Sequence, residues 1–112
     1  MSRGAAGEGD LSNLIERVEP FEDRLGVRLE GLFARSRSHY IEVNGELYAR
    51  GGDELNQDIE LVVTVYDASE RVIAVNDNSF YADDFFGFEP FSILSDVEGM
   101  QPAKIRIHPR AR

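Results

Sequence analysis

Cysteine is missing from the 112 residues, which removes disulfide frameworks, thiolate metal sites and cysteine nucleophiles together. Histidine is scarce: His39 and His108 are the only two, too few for most transition-metal sites. No apolar run reaches secretory length, because Leu11, Leu14, Ile15 and Val18 are separated by Ser12, Asn13, Glu16 and Arg17. Nor does any window approach the roughly 18 apolar residues that suggest a membrane span. The chain therefore reads as cytoplasmic, although a domain excised from an exported protein would read the same. Phosphate-cradling loops are lacking too, since Gly4, Gly7 and Gly9 follow no strand. There is no G-x-S-x-G elbow, and Ser36, Ser38 and His39 are strand neighbours that do not converge. Chance alone pairs many of twenty-one carboxylates, so acid–base catalysis has no specific signal. The expectation is a non-enzyme that requires no cofactor.

What is present is acid. Twenty-one Asp and Glu against twelve Lys and Arg leave a formal charge of −9. Residues 42–99 hold fourteen acids and only two bases, Arg50 and Arg71. Cations collect elsewhere, at Arg24, Arg28, Arg35 and Arg37, and at Lys104, Arg106, Arg110 and Arg112. Such a surface repels a phosphate backbone, so nucleic acid is not an expected partner.

Residues 1–9 (MSRGAAGEG) read as a disordered tail, and residues 10–112 as one β domain. Leu11, Leu14, Ile15 and Val18 fall on one helical stripe behind Asp10, which predicts a short amphipathic helix over 10–19 closed by Pro20. A strand extension competes with it, because isolated helices this short are marginal. From Leu25 the apolar period becomes two. Leu25, Val27, Leu29 and Phe33 share one predicted face, as do Ile41, Val43, Leu47 and Ala49. Ile59, Leu61, Val63 and Val65 follow, then the run 72–75, then Ala103, Ile105 and Ile107. His108 is read as ending the last strand, and Asp67 as bonding its own turn backbone. Six strand candidates at even spacing, without helical crossovers, predict an all-β antiparallel sandwich of six to seven strands with a short N-terminal helix.

Two stretches leave alternatives open. In FYADDFFGFEPFSIL the in-facing parity slips near Pro90, which suggests a bulge or a strand changing sheets. Phe85, Phe86 and Phe88 either fill the core or form an exposed interaction patch. Asp77, Asn78, Asp83, Asp84 and Glu89 crowd the same segment. They are either solvated loop charge or a Ca²⁺ site using Asp77, Asp83 and Asp84, although no Ca²⁺-loop spacing is present. Tyr40, Tyr48 and Tyr66 share outward parity and form a peptide- or glycan-binding face, a set of cross-strand pairs or, the favoured reading, the landing site of the 10–19 helix.

The run Asn44-Gly45-Glu46-Leu47, then Leu55, then Leu61 to Asp67 (LVVTVYD), then Arg71-Val72-Ile73, resembles the FxLYD family of small prokaryotic β-sandwich domains. Val63 stands in place of the family's Phe, and Val65 in place of its Leu. Over residues 40–95 the resemblance implies an immunoglobulin-like sandwich in an accessory or binding role, and carries no catalytic residue. The expected function is protein interaction through an acidic, aromatic edge. Divalent-cation binding is the alternative, and a homodimer through an exposed edge strand is a further expectation.

Overall fold

The structure, a computed structural model, describes residues 9–112. The tail expected over residues 1–9 lies, apart from Gly9, outside the described residues. The chain is mostly strand: β1 (Ile15–Arg17), β2 (Val27–Arg37), β3 (Tyr40–Ala49), β4 (Ile59–Tyr66), β5 (Val72–Phe80), β6 (Phe88–Asp96) and β7 (Lys104–Ala111). Among the elements that lie wholly in the described residues there are also a helix, α1 (Glu19–Leu25), and two 3-10 turns, Ser12–Leu14 and Ala82–Asp84. The strands form two sheets, β1-β7-β4-β5 and β2-β3-β6. Neighbours pair antiparallel except β1 and β7, which run parallel in the register Ile15 to Ile105.

Period-two side chains from both sheets meet in one apolar core. Val27, Leu29, Ile41, Val43 and Leu47 come from the three-stranded sheet. Ile59, Leu61, Val63, Val65, Ile105 and Ile107 come from the other. Each is essentially removed from water, worth about 1.5–3 kcal/mol per large side chain.

The N-terminal segment departs from the predicted helix. Asp10 accepts the Ser12 N–H at 2.9 Å, but Leu11 rather than Asp10 holds the N-cap position, and the 3-10 turn lasts only three residues. Ile15–Arg17 then extends along the free edge of β7, as the competing strand reading has it. Pro20 starts a helix rather than closing one, sitting in the first turn of α1, where its missing N–H has no partner to lose. Glu19 and Glu22 in the first turn and Arg24 in the last complement the helix dipole, and Gly26 at φ 72° ends it. Leu25, predicted to open a strand, is therefore the last helical residue.

This segment closes the outer edge of β2. The Leu11 N–H donates to Ala34 O at 2.8 Å, and Ser12 Oγ accepts the Ala34 N–H at 3.0 Å. Lower down, Arg17 Nη2 donates to Leu29 O at 2.8 Å while the Leu29 N–H donates to Glu22 Oε1 at 3.3 Å. Glu22 is wholly buried and doubly bonded to Arg17, at 2.6 and 3.1 Å. The guanidinium and carboxylate thus stand in for a neighbouring strand, satisfying backbone groups that would otherwise lack partners.

Three further strand expectations are corrected. In β2 one extra residue is inserted between Glu30 and Phe33 opposite β3, with Gly31 at φ 62°. This bulge reverses the parity, so Ala34 is buried and Phe33 lies half exposed on the outer face. Gly45 faces the bulge, where a Cβ would lie 2.8 Å from Leu32 Cδ2 and 2.9 Å from Phe91 Cζ. Near Pro90 there is no slip: β6 keeps one register on β3 from Phe88 to Asp96, with Phe91 and Ile93 inward. The change of sheet happens earlier, across residues 81–87, where the chain leaves β5 and crosses to β6. Finally, β7 does not stop at His108 but continues through Pro109 to Ala111. β1 has already ended opposite Ile107, so the proline removes no donor from that pairing.

Candidate functional site

Crossing between sheets forces residues 81–87 over one end of the core, beside the loop 50–58 that joins β3 to β4. The Ala82 N–H donates to Asp58 Oδ1 at 2.9 Å, and the Ala49 N–H to Gly87 O at 3.1 Å. Leu55 and Phe85 anchor the two loops in the core, with the Phe85 ring edge-on to Phe80 at 6.5 Å. Because Phe85 points in and the chain stays extended, the next side chain must point out. Phe86 is 83% exposed, the most exposed of the large apolar residues.

Phe86 forms part of the wall of a cleft of about 390 Å³, together with Asp53, Glu54, Leu55, Ala82, Asp83 and Phe85. The Asp53 carboxylate also reaches over Gly87, 3.5 Å from where a Cβ would stand. Floor and wall differ in chemistry: leucine, alanine and phenylalanine below, three carboxylates around. The ion pairs among the described residues involve other acids, namely Glu16, Glu19, Glu22, Asp23, Glu30, Glu42, Glu60 and Asp67.

The three phenylalanines named from sequence thus separate. Phe85 belongs to the core and is withdrawn from any interaction patch. Phe86 stands free in solvent. Phe88 is half exposed and stacks on Tyr48, with ring centroids 5.1 Å apart. The Arg28 guanidinium lies 4.9 Å from the other ring of that pair, Tyr48.

The acids named as a cation site do not share one element. Asp77 sits in mid-β5 opposite Val62, whereas Asp83 and Asp84 lie in the 3-10 turn beyond its end. Among the described residues no group of three or more His, Asp or Glu side chains is placed to hold a metal ion. Sequence reasoning did not single out Asp53 and Glu54, which lie in the turn between β3 and β4. Only the fold shows that this turn abuts residues 82–87.

The outward tyrosines fall on different sheets, Tyr40 and Tyr48 on β3 and Tyr66 on β4. Tyr66 is covered by Lys104 and Arg106, at 4.6 and 5.5 Å, rather than by a helix. α1 instead packs on β7, where the Phe21 ring meets His108 edge-on at 5.6 Å. A second concavity of about 290 Å³ lies there, lined by Phe21, Leu25, His108 and Pro109 with Arg24 and Arg110 beside them. Burial first, then Arg110 and Arg106, holds the His108 imidazole below its ordinary pKa. His39, by contrast, is exposed in the turn between β2 and β3.

On the outer face of β2-β3-β6, Glu42 accepts hydrogen bonds from Arg35 at 2.9 Å, Arg37 at 3.3 Å and Ser92 at 3.2 Å. The Arg35 bond above all keeps its carboxyl below the usual range. That cluster is internally satisfied and leaves little charge to offer a ligand. No helix among the described residues is long and apolar enough to cross a membrane. Comparisons of the chain with family models, curated proteins and solved structures find no match.

Proposed function

We propose that this chain is a non-catalytic protein-interaction module, an immunoglobulin-like sandwich of the kind its FxLYD-like stretch suggests, whose contact surface is the edge around Phe86. One observation carries the reading: a phenylalanine 83% exposed on a loop whose neighbours on both sides are fixed in place. Leaving a ring in water forgoes about 1.5–3 kcal/mol of burial, and aromatics are enriched in the buried centres of protein interfaces. Phe88 and Tyr81, on either side of it in sequence, are each more than two-fifths exposed. The two histidines lie apart, on the β2–β3 turn and on β7, which supports a binding rather than a chemical role.

Photo-crosslinking tests this. A photoreactive phenylalanine analogue at position 86, in cells of the source organism, is expected to yield discrete adducts that the same analogue at Met100 does not. An equal smear from both positions would overturn the reading. So would turnover in a hydrolase panel that is lost on Asp83→Asn.

A further inference from the structure

Four aromatic rings of this protein, those of Phe21, Tyr48, Tyr66 and Tyr81, are paired with its own cations. Arg24 lies 5.5 Å from the Phe21 ring centroid and Arg28 lies 4.9 Å from Tyr48. Lys104 and Arg106 flank Tyr66, and Arg112 lies 5.2 Å from Tyr81. In each case the cation gains the negative face of a ring while its stem shields apolar surface. Among the described residues Phe86, like the half-exposed Phe33, Tyr40 and Phe88, has no such cation, and it is far more exposed than those three. Carboxylates alone would be a solvated rim. The bare ring beside an apolar floor is what makes this place different.

We infer that the cleft between Phe86 and the 53–54 turn receives an arginine-bearing basic segment of a partner protein. The inference rests on the interaction reading above and names the chemistry of the partner. An arginine side chain fits each part of the cleft in turn. Its methylene stem lies over Leu55 and Ala82, its planar guanidinium stacks on Phe86, and its N–H groups reach Asp53, Glu54 or Asp83. The surrounding stretch, with fourteen acids to two bases over residues 42–99, attracts such a segment and repels acidic competitors. A second copy of this chain, at −9 overall, is repelled at long range despite the cations of its C-terminal strand.

The test is amide-shift mapping of the isotopically labelled full chain at fixed ionic strength, titrated separately with arginine–serine, glutamate–serine and leucine–serine repeat peptides. The arginine peptide is expected to move residues 53–54 and 82–87, and Phe86→Ala to weaken it about tenfold. Shifts spread evenly over the acidic surface and untouched by Phe86→Ala would reduce the effect to unspecific charge attraction and overturn the inference. Binding of the leucine peptide alone at Phe86 would overturn the basic partner but leave the interaction edge standing. If no peptide moves residue 86, both readings fall.

Discussion

Along the outer edge of β2, each charged group that reaches into the protein meets a partner. Arg17 and Glu22 bond each other and the Leu29 backbone, and Arg50 donates to Val27 O at 2.9 Å while pairing with Asp23. At the loop end, Asp53, Glu54 and Asp83 have no cation among the described residues, and Phe86 is largely exposed. The same residue types are structural in one place and available in the other. The distinction is desolvation: a buried carboxylate without a partner costs several kcal/mol, so it must be matched within the fold, while an exposed one need not be.

Neighbouring rings give the largest test of that contrast. Phe85→Ala is expected to destabilise by about 3–5 kcal/mol in urea titration, because it empties core space, whereas Phe86→Ala should stay within about 0.5 kcal/mol. Equal losses would erase the distinction between the two. Next, Glu22→Ala is expected to cost about 3 kcal/mol, by leaving Arg17 half buried and Leu29 N–H unpaired. Adding Arg17→Met should recover part of it, and strictly additive losses would count against a coupled pair. Gly45→Ala is expected to cost about 1–3 kcal/mol through its collision with Leu32 and Phe91 at the bulge.

Acid sensitivity is a smaller effect, with its sign set by the depressed groups. His108 favours its neutral form in the fold, so its stabilising share is complete above its free value of 6.5 and fades as pH falls through the lower folded value. Glu42 and Asp67 are held down by hydrogen bonds from Arg35 and from the Arg71 backbone, so their share fades only below 4.5 and 3.8. Melting followed against pH should therefore fall in two stages, and His108→Asn should remove the upper one. A single-stage fall in the parent chain would contradict the burial of that imidazole.

Much of the sheet architecture is legible in the sequence because alternation survives wherever one face is dry. Ile59 to Val65 and Ile41 to Ala49 are read correctly for that reason. Asp67 likewise bonds the N–H groups of Ser69 and Arg71 as its turn chemistry requires. The N-terminal error is instructive: Leu11, Leu14 and Ile15 have helical spacing, but a short isolated helix is marginal, whereas Ile15–Arg17 is held by pairing along the β7 edge. The real helix had its own signals, Pro20 at its start and Gly26 after its end. Phe33 was misassigned because Gly31 inserts a residue that a strict two-residue period does not anticipate. At the candidate site, sequence gave the crowd of acids and rings but not their partition. Whether Phe85 or Phe86 turns inward depends on where the chain crosses between sheets, and Asp53 joins them only through folding.

The parallel pairing of β1 with β7 carries a consequence for the order of assembly. Glu16 bonds Arg106 across ninety positions of sequence, at 2.8 Å. During synthesis, therefore, this segment can reach Leu29 and Ala34 of β2 early, but it meets β7 only after almost ninety further residues have left the ribosome. Until then Ile15–Arg17 lacks its strand partner, and its pairing with β7 is a late step whose rate is limited by a long-range search rather than by local propensity.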